Sequence, residues 1–180
     1  MSCASRPSRR AIDADVVVSG AGPAGAFAAT LLARGGARVV LIDRATFPRH
    51  KLCGDTLNPG AMALLRAHGL AGPVEQYGLV GRAWSRARFD AHLVDAAAAA
   101  GVDVRIGTRV TGPLLDAAGR VGGVRVATPS GRHAEVRGGW TIAADGRRSP
   151  LGLALGLVSH PPAPRRWAIG TYAEGVEDLG

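Results

Sequence analysis

The apolar positions of the first fifty residues fall into two different periods. Asp15-Val-Val-Val-Ser19 is a short β-branched run that ends at glycine, the pattern of a strand buried on both faces. From Pro23 to Arg34 the spacing becomes helical, with Ala28, Leu31 and Leu32 on one face, and Gly35-Gly36 predicts the stop. Arg38-Val-Val-Leu-Ile-Asp43 is a second buried strand. Strand, glycine turn, helix and strand within about 30 residues predict a right-handed βαβ unit.

The segment from Arg44 to Thr56 is punctuated by Pro and Gly and predicts neither strand nor helix. Asn58-Pro59 supplies an N-cap and a first-turn proline, predicting a helix through Ala67. Phe89, Leu93, Val94 and Ala97 place another helix over 89–100, and Val102 to Ile106 reads as a third parallel strand. Short strands at 109–115, 120–127 and 133–137, separated by turn signals at 116–119 and 129–131, predict a meander. Trp140 to Ala144 then reads as a last buried strand running into Asp145-Gly146. This order predicts an α/β, Rossmann-like fold with a β-meander inserted before its final strand.

A chain of 180 residues suits one domain and one core. With 47% hydrophobic residues, 20% charged and 26 Gly, it is neither a disordered polymer, a collagen repeat nor a disulfide scaffold. Cys3 and Cys53 are too few and too far apart for a disulfide framework or a paired-cysteine metal site. The net charge of +8 is carried by arginine, Lys51 being the one lysine. Because the arginines alternate with Asp and Glu and form no stripe with aromatic residues, no nucleic-acid partner is expected. Part of the excess suits an anionic cofactor or a diphosphate-bearing substrate. Residues 1–13, with Arg6, Arg9 and Arg10, lack the apolar core of a secretion signal and read as a flexible basic tail. Glycines and charges interrupt every apolar stretch before membrane-spanning length, so no transmembrane segment and a cytoplasmic location are expected.

The chemistry lies at Gly20-Ala-Gly22-Pro-Ala-Gly25, where the first strand gives way to the first helix. The first glycine allows the tight turn, the second lets backbone approach a pyrophosphate, and the third permits close helix–strand packing. The helix N-terminus offers free amides and the positive end of its dipole. Asp43 ends the second strand, where an acid accepts hydrogen bonds from a ribose diol. Dinucleotide binding follows from that set; which dinucleotide does not.

Three further segments, Phe47-Pro-Arg-His-Lys-Leu-Cys-Gly-Asp55, Arg86-Ala-Arg-Phe-Asp90 and Ala144-Asp-Gly-Arg-Arg-Ser149, resemble the geranylgeranyl reductase branch of FAD-dependent oxidoreductases. These are relatives of flavin monooxygenases and halogenases with the glutathione-reductase type of FAD-binding fold in three layers. The resemblance runs from about Asp15 to about Gly175 and implies FAD as cofactor, with NAD(P)H as transient reductant and an isoprenoid or other lipophilic substrate. It places Gly20, Gly22, Ala24 and Gly25 at the pyrophosphate, Asp43 at the adenosine ribose, and Cys53, Gly54 and Thr56 beside the ribityl chain and flavin. It also implies that Arg86 reaches the phosphate and ribityl region, that Val110 contacts adenine through its backbone, and that Asp145 supports the pyrophosphate side. Trp84, Trp140 and Trp167 are expected to pack, and His50 and His68 to be loop and helix-surface residues. No catalytic residue and no metal ligand is identified.

Against that family the segment from Gly69 to Ser85 is short, and the second half, with its Gly-Asp motif and substrate-covering sheet, is missing. Residues 14–160 therefore read as an FAD-binding domain, and 161–180 as the start of a truncated substrate domain. The chain is expected to be a fragment, as a truncated gene, a misannotated reading frame or a split product with a complementing polypeptide. The expected activity is flavin-mediated reduction of isoprenoid C=C bonds. The alternatives are a flavin monooxygenase or halogenase, although no Trp-x-Trp-x-Ile-Pro stretch is present, and a non-catalytic FAD-binding module.

Overall fold

A computed structural model describes residues 12–51, 56–72, 82–159 and 163. The elements in chain order are β1 (Ala14–Ser19), α1 (Pro23–Arg34), β2 (Val39–Asp43), β3 (Thr56–Leu57), α2 (Pro59–Ala67), β4 (Arg82–Ala83), α3 (Arg86–Ala99), β5 (Asp103–Ile106), β6 (Arg109–Leu115), β7 (Val121–Ala127), β8 (His133–Ala143) and α4 (Pro150–Ala154). Strands line up in the order β5-β2-β1-β8-β7-β6, with β3 and β4 forming a separate antiparallel pair. β1 runs parallel to β2 and β8, and β2 parallel to β5, while β6, β7 and the first part of β8 are antiparallel.

Alternation along β1 and β2 divides the interior into two clusters. Val16, Val18, Val39 and Leu41 point into one formed with α1, α2 and α3, which contribute Ala26, Ala29, Met62, Leu65, Phe89 and Leu93. Val17, Val40 and Ile42 point the other way, onto Val110, Val124, Val126 and Val136 of the meander and Leu151 of α4. The parallel sheet is thus sandwiched between a helical layer and the meander, the three-layer arrangement expected, because a parallel strand has no solvated face to spare.

The local signals act where they were read. Asn58 caps α2, its Oδ1 accepting from the Ala61 amide at 2.8 Å, and Gly36 leaves α1 with a φ of +89°. Two expectations change. The third meander strand and the last parallel strand are one eleven-residue strand, β8, whose first half pairs with β7 and whose second half pairs with β1. Gly138 lies at the changeover, where a Cβ would come within 2.8 Å of Val17 Cγ2, so glycine lets one strand serve both layers. Trp140, expected to be buried, is 76% exposed. Its register partner is Val16, on the helical-layer face, but no described helix covers that stretch of β8. Trp84 does pack, its ring 5.5 Å from that of Phe89. Trp167 and the expected truncated substrate domain lie outside the described residues, apart from Ala163.

At the entry to the parallel strands, Asp15 Oδ2 accepts from the Arg38 backbone amide at 2.8 Å, and Oδ1 from Arg38 Nη2 at 2.8 Å. The Arg38 guanidinium, then its amide, hold the Asp15 carboxyl below its ordinary value of 3.8. A carboxyl depressed on folding contributes stability above its unfolded value and loses it as pH falls through its folded value. Asp15→Asn is therefore expected to flatten acid destabilisation below about pH 4 and leave that near neutrality small, solvent screening the pair. Urea unfolding midpoints between pH 2.5 and 7 check this; parallel curves for both proteins would rule it out.

Candidate functional site

The first glycine turns the chain and the third lets helix meet strand. Gly20 has a φ of +102°, and a Cβ there would lie 2.5 Å from the Ala144 carbonyl oxygen, so β1 leaves the sheet directly against the end of β8. A Cβ on Gly25 would stand 1.8 Å from the Gly20 carbonyl oxygen. Gly22 differs: its nearest neighbour would be a side-chain atom, Arg49 Nη2, at 3.4 Å. Gly22 is also the N-cap of α1 and offers no side-chain cap, with Pro23 following. The amides of Ala24 and Gly25 belong to the first turn, which has no carbonyl partners within the helix, so the start of α1 is an anion site facing an open space.

Asp43 is 7% exposed at the end of β2. Its Oδ2 accepts from the Ala21 amide at 2.7 Å and its Oδ1 from the Ala45 amide at 2.8 Å. The carboxylate therefore staples the glycine turn to the second strand, a role the sequence did not disclose. Each oxygen keeps a second lone pair, so the same group can still accept from a ribose diol.

A cleft of about 900 Å³ opens over these elements, and Gly20, Gly22, Asp43, Val110 and Asp145 line it. Arg44, Arg49, Lys51, Arg109, Arg147 and Arg148 line it too. Six cations face two carboxylates, so the cleft carries a strong positive potential. The arginines that look scattered along the chain converge here because the end of β2, the start of β6 and the turn after β8 meet at one edge of the sheet. The sequence motif around Arg49 carries no explicit sign of its place in the cleft; its position shortly after the acid that ends β2 is the one available signal. Asp145 is bounded by Ser19, whose hydroxyl lies 3.4 Å from Oδ2, while Oδ1 is buried with no partner. Capping of α4 is not its role, since Ser149 Oγ accepts from the Gly152 amide there.

Ala24, Thr56 and Arg86 line a different cleft, of about 340 Å³, between α1, α2 and α3, walled by Phe27, Leu57, Leu64, Leu65, Trp84 and Phe89. Gly25 faces neither cleft. Cys53 and Gly54 lie outside the described residues. Between the two clefts runs a chain of charges. Arg86 donates Nε and Nη2 to Asp90, at 2.7 and 2.9 Å. Arg49 donates Nε and Nη2 to Asp90 Oδ2, at 3.3 and 3.2 Å, and its Nη1 lies 3.7 Å from Asp43 Oδ2. Among the described residues no group of three His, Cys, Asp or Glu side chains is placed to hold a metal, and no helix is long and apolar enough to cross a membrane.

Glycines beneath a helix N-terminus, facing an acid on the neighbouring parallel strand, define a dinucleotide-binding protein of the Rossmann-like class. Residues 13–88 and 83–168 match the family described as FAD binding domain, and the chain belongs to that family. It is 36% identical to a menaquinone reductase of Mycolicibacterium smegmatis, over 88% of this chain and 44% of that protein. Identity to digeranylgeranylglycerophospholipid reductase 1 of Methanopyrus kandleri is 34%, over 80% of this chain and 42% of that one. Among solved structures, a myxobacterial chondrochloren halogenase, described as a variant of FAD-dependent halogenases, superposes with a TM-score of 0.72 at 27% identity, covering 78% of this chain and 39% of that one. The chain thus spans less than half the length of these relatives. It is an FAD-binding flavoprotein related to reductases and to halogenases and monooxygenases.

The residues present fit that cofactor. Gly22 borders the cleft with no backbone within 4 Å of its Cβ position and only Arg49 Nη2 near it, the cleft supplies cations for a dianionic diphosphate, and the unpartnered Asp145 oxygen is an acceptor in want of a hydroxyl donor.

Proposed function

We propose that this chain supplies the FAD-binding part of a flavin-dependent reductase acting on C=C bonds of an isoprenoid-bearing lipid, with a nicotinamide dinucleotide as transient reductant. The observation that carries the reading is the adjacency of the two clefts. The basic one suits the dinucleotide, and the apolar one opens beside Ala24 at the start of α1, where aliphatic and aromatic walls suit a lipophilic chain. The name of the Methanopyrus kandleri relative, a digeranylgeranylglycerophospholipid reductase, supports the same substrate class.

In this reading the turn at Gly20 and Gly22 and the guanidinium of Arg49 hold the diphosphate, with Ala24 and Gly25 assigned there by motif, Asp43 accepts from the adenosine ribose, and Val110 borders the adenine through its backbone. Asp145 accepts from a hydroxyl on the pyrophosphate side. Arg86 and Thr56 stand at the mouth of the apolar cleft, toward the ribityl chain, with Cys53 and Gly54 assigned there by motif. FAD, when bound, supplies the redox chemistry, and the protein supplies position, charge and exclusion of water. The superposition on the halogenase favours a second reading, in which the same FAD-binding part serves oxygen-dependent chemistry.

Purified chain mixed with FAD is expected to retain yellow flavin through gel filtration and to gain several degrees of thermal stability at saturating FAD. Colourless protein with an unshifted midpoint would overturn the cofactor assignment for this chain. Dithionite-reduced flavin-loaded protein, alone or joined by a complementing polypeptide, then separates the two activities: loss of an allylic C=C bond from a geranylgeranyl lipid without oxygen supports the reductase. Oxygen-dependent substrate modification without alkene loss would instead favour the second reading.

A further inference from the structure

Asp90 is a fully buried carboxylate, 0% exposed, on a helix face whose neighbours are Phe89, Leu93, Val94 and Ala97. A charge in that setting needs partners, and Arg86, one turn earlier on the same helix, already provides one. A second cation nevertheless arrives from 41 residues earlier in the chain, Arg49, with both its bonds to Asp90 on the single oxygen Oδ2. Asp90 lines neither cleft, so it touches no ligand itself.

Its consequence is the orientation of Arg49. A guanidinium is a rigid planar fork with five donors, and Asp90 engages the edge made by Nε and Nη2. The remaining donors, on Nη1 and the second N–H of Nη2, are thereby aimed into the basic cleft. Nη2 stands 3.4 Å from the Cβ position of Gly22, at the opening of α1, and Nη1 stands 3.7 Å from Asp43 Oδ2. Arg49 thus already lies at the outer limit of ion pairing with Asp43, and without the Asp90 charge Asp43 is the one carboxylate left to it among its described partners. Closing that 3.7 Å gap to hydrogen-bond distance would withdraw the cation from the helix N-terminus and occupy the acid.

We propose that Asp90 is a positioning residue for diphosphate recognition: it holds Arg49 across the start of α1 and keeps Arg49 from closing onto Asp43. The proposal rests on the FAD-binding reading of the cleft and extends it to a residue remote from the ligand. The ligand class it serves is any adenosine diphosphate, so ADP is a sufficient probe.

The test is a double-mutant cycle on ADP and FAD affinity, by calorimetry for ADP and flavin fluorescence for FAD. Because Asp90→Asn alone removes the carboxylate that Arg86 and Arg49 share, it is compared within an Arg86→Gln background, where only the Arg49 contact is at stake. There Asp90→Asn is expected to weaken ADP and FAD at least 20-fold, roughly the loss of one charge-assisted hydrogen bond, and to lower adenosine affinity less than 3-fold. In an Arg86→Gln, Arg49→Met background the same substitution is expected to change ADP affinity less than 3-fold, since Asp90 then has no fork to aim. A loss of equal size with and without Arg49, or an equal loss for adenosine and ADP, would show a merely structural role and overturn the proposal. Were the unsubstituted chain to bind neither ADP nor FAD, the FAD-binding reading itself would fall, and this assignment with it.

Discussion

Gly25→Ala is expected to destabilise the chain by about 3 kcal/mol or more, at the severe end of single substitutions. Two effects oppose each other. Alanine is the better helix former by about 1 kcal/mol in a helix interior, and Gly25 lies within α1. The added Cβ, however, would stand 1.8 Å from the Gly20 carbonyl oxygen and 3.1 Å from Ala144 Cβ. The first of these is backbone, held by the turn that links β1 to α1, and cannot rotate aside. α1 would have to lift by more than an ångström, separating Ala26 and Ala29 from Val18 and Leu41 in the helical-layer core. The clash outweighs the propensity gain. Urea unfolding monitored by far-UV circular dichroism checks this; a midpoint equal to or above that of the unsubstituted protein would show that the helix does not press on the turn.

Gly22→Asp should separate binding from folding. Gly22 is the N-cap of α1 in an extended conformation, with a φ of −72°, which aspartate adopts without strain. An N-cap aspartate accepts from the first-turn amides and is a few tenths of a kcal/mol better than glycine. Its carboxylate would also stand near Arg49 Nη2, 3.4 Å from the Cβ position. The thermal midpoint should therefore hold or rise slightly. The same carboxylate occupies the amides and the cation that the diphosphate needs, and opposes it with like charge, a mismatch worth several kcal/mol in a partly desolvated site. FAD affinity is expected to fall at least 100-fold. A variant that unfolds, or one that binds FAD as tightly as the parent, would contradict the assignment of this turn as the diphosphate seat.

These two glycines, three residues apart in one motif, illustrate what a sequence conveys. The motif, the helix behind it, both flanking strands and the acid at the end of β2 are consecutive in the chain, so short-range periodicity and turn chemistry reveal them together. The strand pattern also announced cover on both faces of the parallel strands, since uninterrupted β-branched runs require it, while the three layers themselves came with the family resemblance. The division of labour among the glycines is less visible. That Gly20 and Gly25 are held by backbone while Gly22 borders open space depends on how closely β8 approaches the turn.

The rest of the site was hidden for the same reason. Arg44 and Arg49 follow β2, Arg109 begins β6, and Arg147 and Arg148 follow β8; only the order β2-β1-β8 and the folding of the meander over the sheet bring them to one cleft. Asp43 read as a ribose acceptor, yet its carboxylate also ties down the Ala21 and Ala45 amides. Gly138-Gly139 looked like a break between strands, and instead marks where β8 passes from the meander to the parallel sheet. Trp140 looked like core, because an aromatic residue in an apolar run gives no sign of whether a helix lies over it.

The sequence by itself therefore determined the class of fold, the dinucleotide turn and its acid, all encoded by local backbone preference and by alternation along single elements. Tertiary structure alone decided the electrostatics: which charges share a cleft, which are linked in the Asp43–Arg49–Asp90–Arg86 chain, and which glycines border the basic cleft. Backbone preference is a property of neighbours in the chain, whereas a potential sums over charges near in space, and here those charges come from segments that only the stacking of three layers makes adjacent.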